Sequence, residues 1–294
     1  MTRAGIVTVV GKPNAGKSTF LNRVVGQKLS IVSAKPQSTR DRIVGIVTEG
    51  DSQMIVFDTP GLLNPRYALH RAMRGTALEA LADADVVIYL ADAADGPAPS
   101  LVEAAELTMP PKAPVITVYN KVDTIDAEQR ARLGSATPAA RFISALTGEG
   151  VGDLVDAARV ALPESPFLYD AEDVSTQTLR FFAAELVRES ALEQLDEEVP
   201  YSLACEIEEF RETRTPVYIR AVLYVERETQ KHILIGAKGA RIKEIGRSAR
   251  VKIEALIEQK VYLDLWVKVL PNWRKSSNAL ARFGYRIPEE KKSR

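Results

Sequence analysis

Eight residues, Gly11-Lys12-Pro13-Asn14-Ala15-Gly16-Lys17-Ser18, limit what this chain can fold into more than any other stretch. They read G-x-x-x-x-G-K-S. They stand between an apolar run, Ile6 to Val10, and a helical pattern carrying Thr19, Phe20, Leu21, Val24 and Val25. A strand, a glycine-rich loop and a helix in that order make a phosphate-binding loop. Its backbone N–H groups converge on phosphate, and the helix N-terminus adds a partial positive charge. Lys17 is placed to reach the β- and γ-phosphates, and the Ser18 hydroxyl to ligate Mg²⁺. The plain alternative, a glycine-rich turn with a chance lysine, has to explain four fixed positions in the right context.

Three later segments address the base. Asp58-Thr59-Pro60-Gly61 ends the apolar run Met54 to Phe57, so the carboxylate can hold Mg²⁺ through water and the Gly61 N–H can approach the γ-phosphate. Asn120-Lys121-Val122-Asp123 ends Val115 to Tyr119. A carboxylate at Asp123 can accept from guanine N1–H and the exocyclic amine. Adenine offers no such donor pair, so GTP is selected over ATP. Ser144-Ala145-Leu146 follows Arg141 to Ile143, and the Ala145 N–H is a candidate donor to guanine O6. Each motif alone is weak. Their shared position after strands is strong, because ligands of open α/β sheets bind at the carboxyl ends of strands. The expected nucleotide set is Gly11, Asn14, Ala15, Gly16, Lys17, Ser18, Thr19, Asp58, Thr59, Pro60, Gly61, Asn120, Lys121, Asp123, Ser144, Ala145 and Leu146.

The fold class that follows is α/β: a mixed, mostly parallel sheet covered by helices on both faces. Val86 to Ala91 reads as a further buried strand, and Ile43 to Glu49 with Ser52 to Phe57 as a hairpin that adds an antiparallel edge. Helices are expected near 18–26, 70–82, 99–108, 126–133 and 150–161. Leu162-Pro163-Glu164-Ser165-Pro166-Phe167 then stops the pattern, which sets domains at 1–167 and 168–294.

The second segment reads helix (from Ser175), strand (Ala204–Phe210), strand (Val217–Val225), helix (from Gln230), Gly236-Ala237-Lys238-Gly239, helix (Ala240–Lys260), strand (Tyr262–Leu270). In the last strand Leu263, Leu265, Val267 and Val269 share one face. The whole chain is neutral, with 39 basic and 39 acidic residues, but from Thr229 onward 16 lysines and arginines face 6 acidic residues. A basic third on an acidic remainder suggests a polyanion-binding module. A GxxG between helices lets a nucleic-acid backbone approach without Cβ clashes, although alone it is also an ordinary turn. Lys231, Ile235, Gly236, Ala237, Lys238, Gly239, Arg241 and Lys243 form the candidate RNA surface. Exposed aromatics are expected to be few there, with Ile233, Ile235 and Ile242 supplying apolar contact instead.

Pro13-Asn14 in the phosphate loop, Gln37-Ser38-Thr39-Arg40, Asp58-Thr59-Pro60-Gly61 and the GxxG segment together resemble the Era family of GTPases. Val199-Pro200-Tyr201-Ser202 and Phe283-Gly284-Tyr285 fit the same family, and the likeness runs from about Gly5 to about Tyr285. The second domain is similar to a type II KH domain. The resemblance implies a GTP-hydrolysing switch that binds the 3′ end of 16S rRNA and assists assembly of the small ribosomal subunit. It also implies Lys17, Thr39 and Gly61 as catalytic residues and Ser18, Thr39 and Asp58 as the Mg²⁺ set. Ser38 is an alternative to Thr39, because family members often carry Gln-Thr-Thr-Arg. Asn14 is a candidate K⁺ ligand by the same likeness, and as an asparagine it is also a turn former. Two other readings share part of the motifs: a GTPase of tRNA modification, which would need a partner enzyme, and an RNA-binding module with a vestigial nucleotide site.

Leu62 stands where Ras-like proteins place the water-orienting glutamine, so slow intrinsic hydrolysis is expected. Arg40 and Arg42 are candidates to approach the phosphates, and read equally well as solvated side chains. Cys205 is the only cysteine, so no internal disulfide is expected, and His70 and His232 read as surface or partly buried residues without metal roles. No apolar run reaches the length of a membrane span. A cytoplasmic monomer is expected, and the sequence leaves open a peripheral association with the inner face of the cell membrane.

Overall fold

The computed structural model describes residues 1–288. The apolar runs become central strands because only a segment buried on both faces can be apolar throughout. β1 (Arg3–Val10), β2 (Ile43–Glu49), β3 (Ser52–Asp58), β4 (Val86–Asp92), β5 (Val115–Asn120) and β6 (Arg141–Phe142) form one sheet in the order β2-β3-β1-β4-β5-β6. All neighbours run parallel except the β2–β3 hairpin at the edge. The connecting helices are α1 (Lys17–Val25), α2 (Ala68–Ala82), α3 (Leu101–Ala104), α4 (Ala127–Ala136) and α5 (Val151–Ala161). Phe20 and Leu21 of α1 and Leu154 and Ala158 of α5 pack on Val7, Val9 and Val56. Ala77 and Leu81 of α2 cover Val10, Val87 and Tyr89 on the other face. α3 is shorter than the expected 99–108. Ser100 and Glu103 cap it reciprocally, and Glu106 turns left-handed (φ +50°) just beyond it.

From Leu162 the chain stays on the sheet instead of leaving it. Gln53 Oε1 accepts from the Leu168 and Tyr169 N–H groups (2.7 and 3.0 Å), and the Ile46 N–H donates to Val174 O (2.8 Å). Ser175 Oγ donates to Val44 O, and Gln177 Nε2 to Arg42 O. The open edge of β2 thus consumes residues that the sequence reading gave to a helix from Ser175. The helix, α6 (Leu179–Gln194), begins only after Thr178 caps it. Covering the edge also removes an unpaired strand from solvent.

β7 (Ala204–Arg211), β8 (Val217–Val225) and β9 (Val261–Val269) form a second sheet in that order, β7–β8 antiparallel and β8–β9 parallel. α7 (Glu228–Ile235) and α8 (Ala240–Ile257) flank the GxxG loop. α6 and α8 bury one face of the sheet, with Val187, Ala191, Ile219, Leu223, Ile245 and Ile253 in the core. A bulge between Ile207 and Glu209 breaks the alternation expected in β7 and sets Glu209 opposite Arg220. A last helix, α9 (Ser277–Arg282), was not foreseen, since six residues carry too little periodicity. With Trp273 it covers Ala204, Val222 and Tyr224 and reaches Leu69 and Met73 of α2. Between the two units the buried Glu189 pairs with Lys28 (2.7 Å) and Lys252 (3.0 Å). No helix among the described residues is long and apolar enough to cross a membrane.

Candidate functional site

The carboxyl ends of β1 and β3 bring the phosphate loop against Asp58. A cavity of about 310 Å³ opens there, lined by Gly16, Lys17, Ser18, Thr39, Gly61 and Lys121 among others. Lys17 is buried, and its Nζ donates to the carbonyls of Gly11 (3.1 Å) and Lys12 (2.8 Å). Burial lowers its pKa to about 8, against the pull of Asp58. Asp58 Oδ2 accepts from Ser18 Oγ (2.7 Å) and Ser30 Oγ (2.9 Å), and Thr39 Oγ1 lies 3.5 Å away. Burial raises the Asp58 pKa, while Lys17 and these three hydroxyls oppose the rise. Its other oxygen, Oδ1, is buried without a partner among the described residues.

Ser18 and Thr39 hydroxyls 2.8 Å apart beside a carboxylate make an oxygen set that suits a hard cation. Among the described residues there is no cluster of three or more His, Cys, Asp or Glu that could hold a metal, so such an ion would complete its shell with phosphate and water. Ser30 carried no motif and was missed. It is fixed by Asn22, whose Oδ1 accepts from the Leu29 and Ser30 N–H groups.

Gly61 meets the phosphate loop closely: a Cβ there would lie 2.6 Å from Pro13 N. The following Leu62 N–H donates to Gly11 O (2.9 Å), and the Leu62 side chain is buried. Thr59 does not face the cavity; its hydroxyl donates to Val9 O (2.8 Å), and its neighbour Pro60 is buried.

At the base end, Asn120 joins three motifs. Its Nδ2 donates to Ala15 O (2.8 Å), and its Oδ1 accepts the Ala145 N–H (2.9 Å). The N–H assigned to guanine O6 from the sequence is therefore engaged by Asn120 here, and a base would have to share or take over that bond. Asp123 follows β5 on a short 3₁₀ turn with its carboxylate exposed. Lys121 pairs with Asp92 (2.6 Å), Ser144 is buried, and Leu146 is exposed. Arg23 of α1 donates to the carbonyls of Ala145 and Leu146, a clamp on this loop that no motif signalled.

The segment around Thr39 and Arg40, switch I, corrects one expectation. Arg40 does not approach the phosphates. It is buried in the second domain, donating to the carbonyls of Pro200 (3.1 Å), Tyr201 (3.2 Å) and Leu203, with its guanidinium over the Trp273 ring. Those carbonyls precede β7, and a fork of five donors fits them. Arg188 of α6 donates back to Ser38 O, and Lys35 to the carbonyls of Leu192 and Leu195. Arg42 lies over Phe57 and pairs with Asp83 (3.5 Å). Asn14 is left-handed (φ +63°), and its amide nitrogen donates to Ala34 O (2.8 Å) at the entry to switch I.

His70 is buried, further inside than the surface or partly buried position expected. Its Nδ1 accepts the Arg66 N–H, and its Nε2–H donates to Gln37 Oε1 (3.0 Å). Burial and the charges of Arg274, Arg40 and Arg66 push its pKa down to about 4. His232 is exposed as expected, and burial pushes the Cys205 thiol up, leaving it inert.

The second candidate surface is an open groove of about 750 Å³ between α8 and the edge strand β9. Gly236 and Gly239 both have positive φ (+73° and +78°), and Gly239 is left-handed. A Cβ on Gly239 would meet nothing closer than Ile242 Cγ2 at 4.0 Å, so the loop keeps its own side of that position empty. Lys238, Arg241 and Lys243 are exposed, and Ala237 with them. Ile235 is half-buried, and Lys231 lies 3.9 Å from Glu228. Arg247 and Arg250 line the same groove and were not singled out from the sequence, although Arg247 at i+4 from Lys243 and Arg250 at i+3 from Arg247 lie on one side of α8. Exposed aromatics are few: Tyr262, 59% exposed, lines the groove, and Trp266 is 53% exposed.

Comparisons with known proteins agree with this geometry. Residues 6–121 match the family described as 50S ribosome-binding GTPase, and residues 198–274 the KH domain family. The chain is similar to GTPase Era of Carboxydothermus hydrogenoformans, 42% identical over 96% of this chain and 98% of that one. GTPase Era of Thermotoga maritima is also 42% identical, over 92% and 93%. Among solved structures, Era in complex with MgGDPNP and nucleotides 1506–1542 of 16S ribosomal RNA superposes with a TM-score of 0.91 at 37% identity, covering 97% of this chain and 99% of that chain. A variant of Aquifex aeolicus Era bound to GDP·AlF₄⁻ gives 0.90 at 37% identity, over the same shares.

Proposed function

This chain belongs to the Era family of GTPases, and from that premise we propose that it is a switch that binds the 3′ end of 16S rRNA and assists maturation of the small ribosomal subunit. The observation that carries the switch is the adjacency of Thr39 and Arg40. One side chain sits in the Ser18–Asp58 site and the next is buried in the RNA domain. A change at the γ-phosphate that moves Thr39 has to move Arg40, and with it the chain entering β7. The Era of the solved complex holds both a GTP analogue and the rRNA segment, which supports one chain doing both.

For hydrolysis, water attacks the γ-phosphorus in line with the departing β–γ bridging oxygen. Lys17 and the loop N–H groups meet the negative charge that spreads over the phosphate oxygens. Ser18, Thr39 and Asp58 would hold Mg²⁺, which would supply positive charge to the phosphates. Asp123 selects guanine. Gly61 brings its N–H within reach of the γ-phosphate. Leu62 offers no group to the attacking water, so orientation falls to the backbone or to the bound ribosomal target.

Asn14 lies on the cavity, and no described residue donates to its Oδ1; we assign it to a K⁺ ion beside the phosphates. Such an ion would supply charge where an arginine finger otherwise acts. Turnover should then be faster in K⁺ than in Na⁺ at equal ionic strength, and Asn14→Ala should remove the difference. Equal wild-type rates would take K⁺ out of the reaction. The setting of this reading is a cytoplasmic monomer. Crosslinking the chain to cellular RNA and sequencing the product tests the whole: reads should concentrate at the 3′ end of 16S rRNA, and reads concentrated in tRNA would overturn it.

A further inference from the structure

β9 alternates. Leu263, Leu265, Val267 and Val269 pack on the helices, so Tyr262, Asp264, Trp266 and Lys268 stand on the opposite face of the sheet. α9 covers only the far end of that face, over Val222 and Tyr224. The near end is open and aromatic. Tyr262 and Trp266 are each more than half exposed, and Tyr218 stacks on Tyr262 with ring centroids 5.9 Å apart and planes within 13°.

The rings are held in place rather than free. Asp264 accepts from Tyr218 OH (2.9 Å), Trp266 Nε1 (2.8 Å) and Arg220 Nε (3.1 Å). Three guanidinium groups surround the Tyr218 ring: Arg211 at 5.3 Å, Arg214 at 5.8 Å and Arg220 at 5.8 Å. Exposed tryptophan and tyrosine in fixed orientation cost little entropy to use, and surfaces of this kind serve recognition. The face also continues into the groove, because Tyr262 lines the α8–β9 cavity while its ring belongs to the outer stack.

We infer that this outer face is a second contact for single-stranded RNA, which leaves the GxxG groove, turns over the β9 edge at Tyr262 and stacks its bases on Tyr218, Tyr262 and Trp266. The inference rests on the groove binding RNA, as proposed above. The chemistry favours bases over phosphates. Arg211 and Arg220 are paired with Glu209, and Arg220 also with Asp264, so the face presents planar guanidinium and aromatic surfaces with little net charge. Bases stack on such planes whatever their sequence. Trp266 lies four residues beyond Tyr262, about 13 Å along the strand at the usual rise, which gives room for more than one nucleotide.

The chain itself carries the reporter. It has two tryptophans, and the other, Trp273, is fully buried. Intrinsic fluorescence quenched by stacking therefore reads Trp266. The probes are oligonucleotides of the 16S rRNA 3′ end, shortened stepwise from either end to the roughly four nucleotides that a KH groove clamps. Long probes should quench the fluorescence and short ones should not. Trp266→Ala should weaken the long probe about tenfold, from the usual worth of one stacked base, and leave the short probe unchanged. Because the lost contact is not ionic, the salt dependence of binding should stay the same in Trp266→Ala, whereas Lys243→Ala should make it shallower. Trp266→Phe should keep most of the affinity, which separates stacking from damage to the fold. Long-probe binding without quenching, and unaffected by Trp266→Ala, would overturn the inference while the groove reading stands, and would leave the face to a protein partner. Failure of every probe to bind would remove both.

Discussion

In the nucleotide site the motifs are tied to one another: Asn120 spans Ala15 and Ala145, Leu62 is bonded to Gly11, and three hydroxyls converge on the buried Asp58. In the groove of the second domain, Lys243, Arg247 and Arg250 stand in solvent on an open cavity. The difference follows from the ligands. A nucleotide is small and must be enclosed so that water does not compete for its charges, and buried polar groups then need partners of their own. An RNA strand is long, its phosphates repeat, and exposed cations gain from releasing its counterions. Loss of one group should therefore be sharp in the first site and graded in the second.

Four experiments break or sharpen that contrast. Asp123→Asn should produce the largest effect. Two charge-assisted hydrogen bonds at about 1.5–3 kcal/mol each correspond to a loss of GTP affinity on the order of a thousandfold, with preference shifting toward xanthosine nucleotides. Competition between GTP and XTP reads this, and an unchanged preference would remove Asp123 from the base site.

Gly239→Asp should lower RNA affinity by about a hundredfold at fixed salt, the upper range for loss of one close contact, with GTP affinity unchanged. The space around Gly239 is empty, but its φ of +78° strains any side chain placed there, so a melting curve, with Gly239→Asn as the uncharged counterpart, separates backbone strain from the like charge facing phosphate. Equal RNA affinity would reduce the loop to a turn.

Arg40→Ala probes what joins the two sites. RNA affinity should differ between the GTP-analogue and GDP forms of the wild type by about 5–150-fold, the range of usual coupling energies, and Arg40→Ala should bring the two forms together. A variant that keeps the difference would move the coupling elsewhere in the interface.

The smallest effect concerns His70. Its folded pKa near 4 lies below the unfolded value near 6.5, so the unfolded chain binds more protons between them. Its contribution to stability is full above about pH 6.5 and is lost as pH falls toward 4. Thermal melts across that range should show a shallower decline for His70→Gln than for the wild type, and identical slopes would exclude His70 as the cause.

Much of the nucleotide site was legible because its chemistry is local. A phosphate loop needs its glycines, lysine and serine within a few residues of one another, and strand-end motifs announce their own place in an α/β sheet. Ser30 and Arg23 were not legible, since each acts through a partner brought near by folding. Arg40 was misplaced for the same reason: beside Thr39 in sequence, an arginine reads as a phosphate ligand, and only the packing of the second domain offers it three carbonyls. The start of α6 was displaced by the open edge of β2, which competes for the Ser175–Gln177 segment in a way no propensity records.

By itself, then, the sequence determined the parallel sheet, the GTP chemistry at its strand ends and the helix–GxxG–helix of a KH domain, because each is specified by residues close together along the chain. Only the tertiary structure decided that switch I is plugged into the RNA domain, that three hydroxyls share one carboxylate, and that Tyr218, Tyr262 and Trp266 lie together on an open face. Those arrangements join residues far apart in sequence, and no periodicity encodes which side of a strand will be left uncovered once every helix has found its place.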